Sequence, residues 1–70
     1  MKLEMLMFMT YVEKKNSHGR TAVLTKLREL GLEKSGFYTM VEKSGKTSIG
    51  KNQLKFLLLD SFIKKLPDRR

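Results

Sequence analysis

Apolar positions recur at two different spacings along this 70-residue chain, and the change of spacing divides it into elements. From Leu3 to Val12 (LEMLMFMTYV), Leu3, Met5, Met7, Met9 and Tyr11 alternate on one side. A mixed second side carries Lys2, Glu4, Leu6, Phe8, Thr10, Val12 and Lys14. Period two predicts a strand there, against the better helix propensity of Met and Leu. Asn16-Ser17-His18-Gly19 has turn composition. From Thr21 to Leu30 the spacing becomes helical, with Val23, Leu24, Leu27 and Leu30 on one stripe. Ser17 or Thr21 is placed to cap its start, and Gly31 and Leu32 to end it with a left-handed cap and an apolar contact.

After the loop Glu33–Gly36, the aromatic and β-branched run Phe37-Tyr38-Thr39-Met40-Val41 predicts a second strand. Lys43-Ser44-Gly45-Lys46 predicts a hairpin turn, and Thr47-Ser48-Ile49 a short return strand. Asn52 is a suitable N-cap for a final amphipathic helix, Gln53–Leu66, with Lys64 and Lys65 in its last turn. Pro67 ends it and leaves 67–70 as a tail, so 1–66 forms one α+β domain. The order is β-α-β-β-α: a right-handed crossover, then a hairpin, giving a three-stranded sheet covered on one face by two helices.

A second arrangement makes residues 3–15 helical. The stretch Thr21–Gly50 (TAVLTKLRELGLEKSGFYTMVEKSGKTSIG) then resembles a winged-helix DNA-binding domain of order α-α-β-β-α. That resemblance implies a recognition helix ending at Gly31-Leu32 and a basic hairpin wing after it. It covers less than half the chain, and one helix precedes Thr21 where the family pattern has two.

Charge sharpens the functional reading. Fifteen Lys and Arg against seven Asp and Glu give +8, a balance that draws a protein to nucleic acid, acidic proteins or anionic lipid. The absence of cysteine excludes disulfides and thiolate metal sites, and the single His18 cannot form a zinc site. A domain this small and without staples often self-associates. The N-terminal apolar run is too short for a membrane span and no cleavage site follows it, so the expectation is a cytoplasmic protein without a membrane contact.

Few residues point to catalysis. Gly45–Asn52 (GKTSIGKN) approaches a P-loop but puts Asn52 where a magnesium-binding hydroxyl is required. Lys51 and the helix start could still hold a phosphate. The acids are dispersed, and only Glu13, at the end of the first predicted strand, stands where a metal-dependent nuclease would need one. The reading is a non-enzymatic module with no cofactor and no metal. His18 reads as a solvated loop histidine within reach of a phosphate, and an outward aromatic from Phe37-Tyr38 beside Lys43 could stack on a base.

On the β-α-β-β-α path, nine of the 15 basic residues and three of the seven acids meet at one pole, a net +6 of the total +8. The expected function is therefore a small regulatory nucleic-acid-binding module, DNA or RNA. Its phosphate contacts are expected from Lys14, Lys15, His18, Arg20, Lys43, Lys46, Lys64 and Lys65. The alternative is a protein-interaction module, an inhibitor or adaptor of a larger nucleic-acid-processing complex. A homodimer or protein partner would then dock on the strand carrying Met5, Met7 and Met9.

Overall fold

The computed structural model describes residues 3–65, with side chains as far as residue 61. In chain order it contains α1 (Leu3–Glu13), β1 (Ser17–Gly19), α2 (Arg20–Glu29), α3 (Gly36–Lys43), β2 (Ser48–Gly50) and α4 (Lys51–Lys65). The class is α+β, but the sheet has two strands rather than three, paired antiparallel with Ser17 opposite Gly50 and Gly19 opposite Ser48. Neither predicted order survives, because residues 3–12 and 37–41 are both helical. The expected end of the last helix at Leu66 and the tail 67–70 lie outside the described residues.

The first correction concerns α1. Met5, Phe8 and Val12 are buried at spacings of three and four, a helical stripe. Leu3, Leu6 and Met7 are apolar as well but exposed, and Leu3 and Met7, with the half-buried Met9 and Tyr11, supplied the false period of two. With apolar residues all round, helix propensity and the neighbouring elements decide the state. Glu4 in the first turn suits the helix dipole.

The second correction concerns α3. Its aromatic and β-branched composition favours a strand, yet the Ser35 hydroxyl accepts from the Tyr38 N–H at 3.1 Å and nucleates a helix. Phe37 and Val41, four residues apart, then both become fully buried.

The helix predicted at Thr21–Leu30 is present one residue earlier, as α2, with Val23 and Leu27 buried. Gly19 occupies its N-cap position and no side chain caps it, so neither Ser17 nor Thr21 has that role. The C-terminus follows the expectation. Gly31 has φ +75°, its N–H reaches the Arg28 carbonyl at 3.0 Å, and the Leu32 N–H reaches the Leu27 carbonyl at 2.8 Å. This is the Schellman arrangement, with Leu32 packed against the core. Replacing Gly31 by alanine is expected to cost about 1–2 kcal/mol, because an L side chain is strained there although space is open around it. Urea melts of the two proteins measure the difference. Gly45 supplies a second positive φ, +71°, in the loop from α3 to β2 rather than in a hairpin.

The core lies between α1 and α4 on one side and α2 and α3 on the other, and Ile49 of β2 joins it. Phe8 is at its centre, edge-on to Phe37 with ring centroids 5.0 Å apart. Among the described residues no helix is long and apolar enough to cross a membrane.

Candidate nucleic-acid interface

His18 departs furthest from its expected role. It is the middle residue of β1, opposite Ile49, and only 2% exposed. Its Nε2 lies 2.9 Å from the Val12 carbonyl oxygen. A carbonyl can only accept, so Nε2 carries the proton. The ring lies against Tyr11, centroids 4.9 Å apart, and Nδ1 is buried without a partner. This is a structural histidine that locks the end of α1 to the sheet, and its ring is closed to a phosphate.

The two-stranded ladder also divides the expected basic pole. At one end the Arg20 N–H donates to the Thr47 carbonyl at 2.9 Å, and its guanidinium donates to the Glu42 carbonyl at 2.9 Å. These two bonds bring Arg20 to the end of α3 and the connection after it, which carry Lys43 and Lys46. At the other end, about 13 Å of ladder away, the Lys51 N–H donates to the Asn16 carbonyl at 2.7 Å. Lys14 and Lys15 precede that point, so they form a second group apart from the first. The backbone of Lys64 and Lys65 closes α4, and their side chains lie outside those described.

Glu13 holds the second end together. Its carboxylate lies 2.8 Å from the Lys55 ammonium and 3.7 Å from that of Lys51. The hydrogen bond from Lys55 outweighs the partial loss of water and lowers the Glu13 pKa. A carboxylate so lowered stabilises the fold above the ordinary carboxylate range, and that stabilisation is lost as the pH falls through its folded value. Glu13→Gln is therefore expected to lower the melting temperature slightly near neutral pH, a difference that vanishes on acidification. Paired thermal scans at pH 7 and pH 3 check it. The same ion pairs occupy the one acid expected for nuclease chemistry. Lys51, the lysine of the P-loop-like segment, lies beside the same carboxylate. Among the described residues no group of three His, Cys, Asp or Glu side chains could hold a metal ion.

Arg28 was missed in the sequence. It is exposed on α2 and donates to the Tyr38 hydroxyl at 2.8 Å, a bond that raises its pKa further. That bond also positions Tyr38 across the α2–α3 junction, not outward for stacking. Phe37 is fully buried, so neither aromatic is offered to a base. Lys34, in the turn between α2 and α3, is exposed too. Outside those ion pairs and that of Lys26 with Glu29, seven cations make no ion pair with a described carboxylate. They are Lys14, Lys15, Arg20, Arg28, Lys34, Lys43 and Lys46. No protein-family model matches the chain, and no curated protein or solved structure matches it.

Proposed function

We propose that this chain binds nucleic acid without catalysis, through the surface formed by α2, the turn after it and α3. The observation that carries this reading is the placement of the seven cations. Five of them, Arg20, Arg28, Lys34, Lys43 and Lys46, lie on or beside this helix pair. Two helices joined by a short glycine-containing turn have the order of a helix-turn-helix, in which the second helix enters the major groove. On α3 the outward positions are Thr39, Glu42 and Lys43, opposite the buried Phe37 and Val41. Thr39 is small enough to let the helix approach base edges, while Lys43 and the arginines hold phosphates. Lys14 and Lys15 extend the footprint along the backbone. Double-stranded DNA is the expected ligand, since a helix cannot enter the deep, narrow major groove of RNA.

The test is a fluorescence-anisotropy titration of a labelled duplex at several salt concentrations. Affinity should fall with a log–log slope of about −0.9 per phosphate neutralised, near −5 for five or six contacts. A slope near zero overturns the proposal. The competing idea of a partner docking on Met5, Met7 and Met9 does not fit the helix, since Met5 is buried and Met9 half-buried; of the three only Met7 is exposed, among other apolar side chains of α1 and α4.

A further inference from the structure

We propose that the outward faces of α1 and α4 form one docking surface, and that its occupant is a second copy of this chain. On α1, Leu3, Leu6, Met7 and Thr10 lie opposite the buried Met5, Phe8 and Val12. On α4, Asn52, Phe56 and Leu59 lie opposite the buried Leu54, Leu58 and Ser61. Leu3 is 68% exposed, Leu6 52%, Met7 46%, Phe56 62% and Leu59 55%. The two helices pack side by side and are tied by Glu13 to Lys51 and Lys55. The Thr10 hydroxyl donates to the Leu6 carbonyl at 3.1 Å and is thereby spent within its own helix.

Charge identifies the occupant. In a chain with 31% charged residues and a net +8, the one charged residue among the exposed positions described on these two helices is Glu13, and it is paired with Lys55 and Lys51. Two copies that repel elsewhere can approach through such a face, whereas a face built for an acidic partner would carry unpaired lysines. An interface around a two-fold axis must also complement itself, and an uncharged apolar surface does so. The area agrees. The five exposed side chains offer roughly 500 Å² of apolar surface, near the upper end for a monomer. With a surrounding rim, that approaches the ~600–800 Å² each partner buries in a specific dimer. The chain has no cysteine to staple so small a core, and association is the remaining common device.

Sedimentation velocity on the full chain, without nucleic acid, tests this. The wild type should sediment as a species of twice 8.2 kDa, with a roughly micromolar Kd suited to an interface of this size. Leu6→Glu with Phe56→Glu should weaken self-association by about a hundredfold or more, by burying unpaired charge. Its far-UV circular dichroism should not change, since both side chains already meet water. Leu6→Ser with Phe56→Ser serves if the glutamates unfold the chain. Thr25→Glu, on the exposed side of α2, should leave the dimer intact. A wild type that stays monomeric at about 100 µM overturns the proposal, as does a dimer that survives the folded double variant. A monomer that instead binds vesicles of phosphatidylcholine and phosphatidylglycerol through Leu6 and Phe56 also overturns it. Because no nucleic acid is present, the outcome is independent of phosphate binding.

Discussion

Replacing Arg20, Lys43 and Lys46 together by alanine is expected to weaken duplex binding about a hundredfold at low salt, at about 1 kcal/mol for each lost phosphate contact. The three belong together because the Arg20 guanidinium is held on the Glu42 carbonyl, one residue before Lys43, and its backbone on Thr47, one residue after Lys46. The salt slope should flatten by close to 3, one unit per removed cation. Lys26→Ala is the control. Lys26 already pairs with Glu29 at 3.9 Å and lies 5.7 Å from the centre of the Tyr11 ring, so its loss should change affinity little. A triple variant that binds like wild type, with the same slope, would remove α2–α3 from consideration as the binding surface. The arginine's bond to Glu42 is exposed, so the variant should remain folded.

His18→Ala is expected to have the largest effect on stability. It empties a fully enclosed ring site between Tyr11 and Ile49 and leaves the Val12 carbonyl without its donor. Cavity and unsatisfied acceptor together cost about 3 kcal/mol. For a domain of this size that is a fall of roughly 15 °C in melting temperature. Nucleic-acid affinity, measured below the transition of both proteins, should be unchanged. A phosphate-contacting histidine would give the reverse result, with lost affinity and intact stability, so differential scanning calorimetry beside anisotropy separates the two roles.

Parts of this arrangement were legible in the sequence and parts were not. The stripe Val23, Leu24, Leu27 and the glycine after it gave α2 almost to the residue, because local spacing and a positive-φ requirement act within one element. The α1 segment was misread because seven of its ten residues from 3 to 12 are Leu, Met, Phe or Val, so several periods fit equally well. What separates them is which three positions meet Phe37 and the other core residues, a tertiary fact. For α3, the signal was present in the Ser35 cap but weaker than the strand propensity of Phe-Tyr-Thr-Met-Val.

The site divided in the same way. Arg20, Lys43 and Lys46 do come together, through two hydrogen bonds to backbone carbonyls rather than at the edge of a three-stranded sheet. Lys14 and Lys15 were assigned to that group by a topology the chain does not adopt. His18 reads as a polar loop residue from its neighbours alone. Its burial comes from pairing with Ile49, thirty-one residues away, and no local pattern carries that information.

That pairing has a kinetic consequence. The ladder joins Ser17–Gly19 to Ser48–Gly50, so it is the neck of a long loop that contains all of α2 and α3. Drawing such a neck shut costs about 3 kcal/mol in chain entropy beyond a constant term. Three residues a side cannot offset that until the two enclosed helices have condensed on each other and shortened the path. Folding should thus proceed from the middle outward, with the strands as the final clasp. The chain should accordingly mature more slowly than a purely helical bundle of equal length, since its closing step depends on distant partners.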